Sequence, residues 1–184
     1  TVCTHLSYKP FQFTEGGTIV GFDVDVMDLV AKKLGVTQQV IDIEFGQITS
    51  GAVFTAKKCD VGAAAITITP EREQAAPFSD PYFASKQALL VKADSSVTSL
   101  ADMKDKVLAV QTDTSGQTYA EEHAGEFGFS TKVFDDMPTG SNAVLAGTVD
   151  GSLNDNGVLL DFARENPTTK VVEEIDTNEH YGFN

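Results

Sequence analysis

Strand and helix signals alternate along the whole chain, and they do so in two consecutive series. No other feature constrains the fold as strongly, because a repeated strand–helix–strand pattern implies a parallel sheet covered by helices. In the first series a strand near Val2 to Leu6 leads through a Gly16-Gly17 turn into a helix from Asp23 to Leu34. Val26, Leu29, Val30 and Leu34 fall on one face of that helix and form its expected core stripe. Asp23, Asp25 and Asp28 come early, Lys32 and Lys33 late, and Gly35 follows as the stop, so the charges complement the helix dipole. A strand over residues 36–43, a helix ending near Lys57 and a third strand over residues 60–65 complete a βαβαβ unit.

After Pro81-Tyr82 the apolar run 87–91 reads as a connecting strand, and the polar stretch 92–99 opens a second series. Its strands are expected at residues 107–110, 131–134 and 151–153, and its helices at 115–124, 141–146 and 158–164. The halves rhyme weakly: Ala56 to Asp60 (AKKCD) and Ala146 to Asp150 (AGTVD) each close a helix and open a third strand. The expected architecture is α/β, with two doubly wound, Rossmann-like lobes over residues 1–85 and 92–178. Residues 86–91 form the hinge strand, and residues 179–184 begin the return crossing.

Hydrophobic residues make up 41% of the 184, enough for a core, and no apolar run approaches the ~18 needed to cross a membrane. A formal charge of −14 argues against a nucleic-acid partner, whose phosphates need a basic footprint. It suits a freely diffusing monomer. Thr1 to His5 already reads as strand, so no signal segment is present in this sequence.

The most informative stretch is residues 60–82, DVGAAAITITPEREQAAPFSDPY. A small, apolar strand breaks at Thr67-Ile68-Thr69, and a helix begins: Thr69 suits the N-cap, Pro70 the first helical position, and Glu71 the positive end of the dipole. Arg72 sits on that first turn beside free backbone N–H groups, which together suit a small carboxylate. A capped helix with an ordinary exposed Arg is the bland alternative.

Thr67-x-Thr69-Pro70-Glu71-Arg72, then Phe78-Ser79-Asp80-Pro81-Tyr82, with Gly21-Phe22-Asp23-Val24-Asp25 upstream, resembles the signature of a known family. These are the extracytoplasmic solute-binding proteins of polar amino-acid ABC importers, bacterial solute-binding protein family 3. The resemblance runs from Thr1 to Phe183. It implies a type II periplasmic-binding-protein fold whose two lobes hold a free amino acid in the cleft between them. It also implies delivery to a transmembrane permease, residence in the periplasm or as a cell-surface lipoprotein, no enzymatic activity and no cofactor. The family normally continues past the return crossing with a strand and further helices, so the C-terminal part of the fold is expected to be missing here.

The resemblance assigns Arg72 and the Thr67–Thr69 turn to the ligand carboxylate. Thr114-Ser115-Gly116-Gln117, which fits a capping box, would face the same carboxylate from the second lobe. Asp155 would take the ammonium, assisted by Thr67 Oγ and the Ala65 carbonyl; a loop Asp capping the next helix is the alternative. Side-chain recognition would fall to Tyr8, Phe11, a residue around Phe45 to Gln47, and Gln111. His5 stands where several relatives carry an acid, and Asp113 where Gly is usual. Four or five charge-assisted contacts of ~1.5–3 kcal/mol each are consistent with micromolar or tighter binding. Cys3 and Cys59 each precede or open a predicted strand, so a disulfide could join the strands if they are neighbours; two buried thiols are the alternative.

Other signals fail. His5, His123 and His180 have no partner at metal spacing, and Asn154-x-Asn156-Gly157 lacks the first and last ligands of a calcium loop. No nucleophile elbow or phosphate loop is present. Two rival functions fit the same scaffold: an arogenate or prephenate dehydratase, with Asp155 or Asp113 as the acid, and a ligand-sensing module of a receptor.

Overall fold

The computed structural model describes residues 1–184. The chain divides into two units: Thr1–Ala84 with Glu179–Asn184, and Ser85–Asn178. Two chain crossings join them.

The first unit is built on three parallel strands, β1 (Val2–Thr4), β4 (Val40–Asp42) and β5 (Val61–Gly62), with β1 in the centre. A small hairpin, β2 (Phe13–Glu15) and β3 (Thr18–Val20), precedes α1 (Phe22–Leu34). Two short helices, α2 (Phe45–Thr49) and α3 (Ala52–Thr55), stand where a single helix was expected. Gly51 separates them at φ 73, a left-handed conformation that ends one helix and starts the next.

The expected third strand is also divided. β5 pairs with β1, whereas β6 (Ile66–Thr67) pairs antiparallel with Tyr181 and Gly182 at the end of β11 (Thr169–Gly182). Ala65, at φ 50, is the turning point between the two ladders. α4 (Pro70–Ala75) follows, with Thr69 at the N-cap accepting from the Arg72 N–H at 3.2 Å.

The core face of α1 differs from the stripe expected. Asp23, Val24, Met27 and Ala31 are buried, while Leu29, Val30 and Leu34 are exposed. Apolar residues lie nearly all round this helix, so two stripes compete, and hydrophobicity alone does not choose between them. Val2, Met27 and Ala63 pack together. A second cluster gathers Cys3, Phe45, Ile48, Val53, Cys59 and Ile66. The Cys3–Cys59 disulfide lies inside it, with the two Cα atoms 5.7 Å apart.

The second unit repeats the strand order. β8 (Val107–Gln111) is central, flanked in parallel by β9 (Ser130–Phe134) and β10 (Gly151–Asp155), with β7 (Phe83–Lys92) antiparallel on β10. Its helices are α5 (Ser115–Phe127), α6 (Met137–Ala146) and α7 (Asn156–Glu165). α6 starts four residues earlier than expected, because Asp136 caps it by accepting from Thr139 N–H and Pro138 is accommodated in its first turn. Leu89, Met103, Leu108 and Leu153 anchor the core.

The sequence rhyme has a physical counterpart. In the first unit Thr1 N donates to Asp60 Oδ2 and the Asp60 N–H to the Thr1 carbonyl. In the second, Val107 N–H donates to Asp150 Oδ2 and the Asp150 N–H to the Val107 carbonyl. Each acid clips the third strand to the start of the first. No helix is long and apolar enough to cross a membrane.

Candidate functional site

In the first unit the expected residues gather where β1 and β5 end. Arg72 is buried, its guanidinium donating to the Thr67 carbonyl at 2.9 Å and lying 5.3 Å from the centre of the Phe45 ring. The same ring is 6.2 Å from the His5 imidazole. His5, buried just past β1, has Nδ1 3.1 Å from the Ile43 carbonyl. A carbonyl only accepts, so Nδ1 carries the proton. Nε2 is buried with no hydrogen-bond partner.

The Thr67 hydroxyl donates to Glu179 Oε2 at 3.0 Å, a contact 112 residues away in sequence, and its oxygen keeps lone pairs for a further donor. Tyr8 is buried and bridged to Gln12. Phe11 packs edge-on against Phe83 and Tyr181, at 5.0 and 5.2 Å, inside an aromatic cluster.

In the second unit the polar residues follow the ends of β8 and β10. Asp155 is buried at the end of β10 and is the N-cap residue of α7, yet its side chain makes no capping bond. Its Oδ1 accepts from Gln87 Nε2 at 2.5 Å. Asn154 Nδ2 donates to Gln111 Oε1 at 3.1 Å, and the Gln111 carbonyl accepts from the Thr114 hydroxyl at 2.8 Å. Thr114 caps α5 by accepting from Gln117 N–H at 3.1 Å. The expected capping box is only half formed, because the Gln117 side chain accepts from the Asp113 N–H instead. Asp113 sits at φ 60, a left-handed conformation that explains why Gly suits that position. Ser115 opens α5 and is half-buried.

Three contributors escaped sequence reasoning: Gln87, Glu179 and the pair Asp23–Tyr82. Asp23 Oδ2 accepts from Ala65 N–H at 2.7 Å and Oδ1 from the Tyr82 hydroxyl at 2.7 Å. Burial pushes the Asp23 carboxyl up to about 6, against the downward pull of those two bonds. Burial and the Asp23 charge push the Tyr82 phenol well above its usual value. The signal for Gln87 was available, since it is a polar residue opening an otherwise apolar run. No group of His, Cys, Asp and Glu residues is arranged to hold a metal ion.

Two serial α/β units with the same central-strand order, joined by two crossings, define a periplasmic-binding-protein fold. The model of the bacterial extracellular solute-binding proteins, family 3, matches residues 1–177. The chain belongs to that family, whose members are extracytoplasmic. It is 36% identical over 129 residues to the arginine-binding extracellular protein ArtP of Bacillus subtilis (strain 168), covering 70% of this chain and 50% of that protein. It is 32% identical over 174 residues to a glutamine-binding protein of Geobacillus stearothermophilus, covering 92% and 64%. The chain thus spans between half and two thirds of the length of these relatives. An ancestral arginine-binding protein solved with arginine bound superposes with a TM-score of 0.92 at 35% identity, covering 99% of this chain and 81% of that one.

Proposed function

We propose that this protein binds a free polar amino acid between its two units and delivers it to the transmembrane permease of an ABC importer. The observation that carries the reading is Arg72: a residue only 9% exposed, its guanidinium braced by the Thr67 carbonyl and the Phe45 ring, at the carboxyl end of the strands. Such a rigid fork suits a carboxylate held bidentately. Asp155, kept acceptor-ready by the Gln87 amide, is assigned to the ammonium. Ala65, Thr114, Ser115, Gln111 and Tyr8 supply the remaining contacts, and Thr67 contributes chiefly by carrying the carbonyl that braces Arg72. Delivery to a permease and residence outside the cytoplasm rest on family membership.

His5 bears on which amino acid is taken. In its neutral form, with Nδ1 committed to Ile43, Nε2 offers a lone pair to a side-chain donor. An amide or guanidinium fits this acceptor, and a second carboxylate does not. That agrees with relatives named for glutamine and arginine.

Calorimetry and thermal-shift titration with L-glutamine, L-arginine and L-glutamate test the reading. Binding of at least one of the first two is expected, with L-glutamate weakest. Arg72→Ala should weaken binding by roughly ten- to a hundredfold, the worth of a charge-assisted hydrogen bond of ~1.5–3 kcal/mol. Parent-like affinity in that variant would refute the assignment. Conversion of arogenate to phenylalanine would establish the enzymatic alternative.

A further inference from the structure

The acid in the first turn of α1 is not a surface complement to the helix dipole. Asp23 has no solvent exposure, and its two oxygens are divided between two other segments, Ala65 and Tyr82. Ala65 is the residue at which the chain leaves the β1 ladder for β11, in a backbone conformation that a Cβ disfavours. Two residues later comes the Thr67 carbonyl that braces Arg72. The Tyr82 ring stacks on Phe183, 4.2 Å away and almost parallel, and lies 6.1 Å from Phe22. One carboxylate therefore ties together the start of α1, the ligand loop and the entry to β7.

We propose that Asp23 is the positioning residue of the ligand loop: its charged carboxylate holds Ala65 where the Ala65 carbonyl and Arg72 meet the ligand, and protonating it weakens binding. This rests on the amino-acid-binding reading above. Both oxygens already accept, so an added proton must displace or weaken one of the two donors. The groups around the carboxylate are few in kind. Tyr82 is the titratable side chain in contact with it, and Asp25, further along α1, is exposed. Phe22 on α1, Tyr181 on β11 and Phe183 just beyond it lie against the Tyr82 ring, and of these only Tyr181 carries an ionisable group. The upward push from burial brings the transition to about pH 6.

The test is calorimetric titration with L-glutamine and with L-arginine at several pH values from 5 to 8, on the parent and on Asp23→Asn, Tyr82→Phe and His5→Gln. The parent should lose about five- to tenfold in affinity between pH 8 and pH 5, as a charge-assisted hydrogen bond becomes a neutral one. Asp23→Asn should start weaker at pH 8 and show no such loss. Tyr82→Phe should move the midpoint to higher pH, because the Tyr82 hydrogen bond lowers the Asp23 value. His5→Gln removes a group assigned to the ligand, so it is compared with the double variant carrying Asp23→Asn as well: the pH-dependent loss that remains in the single variant should be absent from the double, which separates the carboxylate from the imidazole. Without ligand, the Ala65 amide resonance should titrate in the parent and stay constant in Asp23→Asn. A parent-like pH profile in Asp23→Asn overturns the proposal, as does an Ala65 amide that titrates while affinity stays flat. If the parent binds neither amino acid at pH 8, the ligand reading falls and takes the positioning role with it. If it binds with no pH dependence, only the positioning role falls.

Discussion

Replacing Cys3 and Cys59 together by Ala should loosen the first unit and leave the second largely untouched. The bond joins residues 56 apart, and the ring it closes contains the β2–β3 hairpin, α1, β4, α2 and α3. In the chain-entropy model a loop of that length confers roughly 4 kcal/mol by restricting the unfolded chain. Both sulfurs sit in a buried cluster with Phe45, Ile48 and Val53, so small cavities add to the loss rather than offset it. For a chain of this size that corresponds to a fall in Tm of roughly 8–16 °C. Urea unfolding followed by circular dichroism, with and without reductant on the parent, gives the free energy. Hydrogen exchange places it: amides of β1 and β5 should lose protection, and those of β8, in a unit without cysteine, should not. A change below about 1 kcal/mol, or equal loss in β8, would refute the reasoning.

Three further perturbations follow from single contacts. The Asp23 carboxyl, near 6 in the folded protein and near 4 unfolded, binds more protons folded than unfolded between those values, so its contribution to stability is full below pH 4 and lost as pH rises through 6. Asp23→Asn should therefore gain up to about 3 kcal/mol relative to the parent between pH 4 and pH 7, read from urea unfolding at each pH. Gly116→Ala puts a Cβ 2.5 Å from Gln87 Oε1, which should displace the amide that holds Asp155; affinity for L-glutamine or L-arginine should drop about three- to tenfold in calorimetry with little change in Tm. Gly21→Ala drives a Cβ into the Phe11 carbonyl at φ 130, and urea unfolding should show a loss of about 3 kcal/mol or more.

What the sequence revealed was local. Thr69 and Pro70 start α4, Gly35 ends α1, and Asp155 stands at a strand end, because caps and strand ends are decided by a few adjacent residues. The strand expected over residues 36–43 shrank to Val40–Asp42, since periodicity marks an element better than its boundaries. Contacts between distant segments were not legible. Thr67 reaches Glu179, and Asp23 reaches Tyr82, 59 residues on. Nothing in Phe-Asp-Val-Asp distinguishes an acid that complements a dipole from one sealed beneath a tyrosine. The division of residues 60–67 between two ladders depended on a left-handed Ala65, which composition gives no reason to expect.

The site residues share one topological rule across the two units. In the first, His5 follows β1 and Ala65 and Thr67 follow β5; in the second, Gln111 and Thr114 follow or end β8, and Asp155 ends β10. In each unit the candidate residues thus stand at the carboxyl ends of the central and third strands, where α/β sheets leave backbone and side chains available to ligands. On the proposed reading the charges are divided, the guanidinium of Arg72 coming from the first unit and the carboxylate of Asp155 from the second. On the proposed reading neither half can satisfy a zwitterion alone, and each end of the ligand is worth a charge-assisted hydrogen bond of ~1.5–3 kcal/mol. Analogues of L-arginine or L-glutamine lacking the carboxyl group, or lacking the α-amino group, should each bind roughly ten- to a hundredfold more weakly than the parent amino acid. Arg72→Ala should then cost little further for the analogue without the carboxyl group, and Asp155→Asn little for the one without the amine. These are double-mutant cycles in which the ligand supplies one of the two deletions. Additive losses in both cycles would show that Arg72 and Asp155 do not meet the two ends of the ligand.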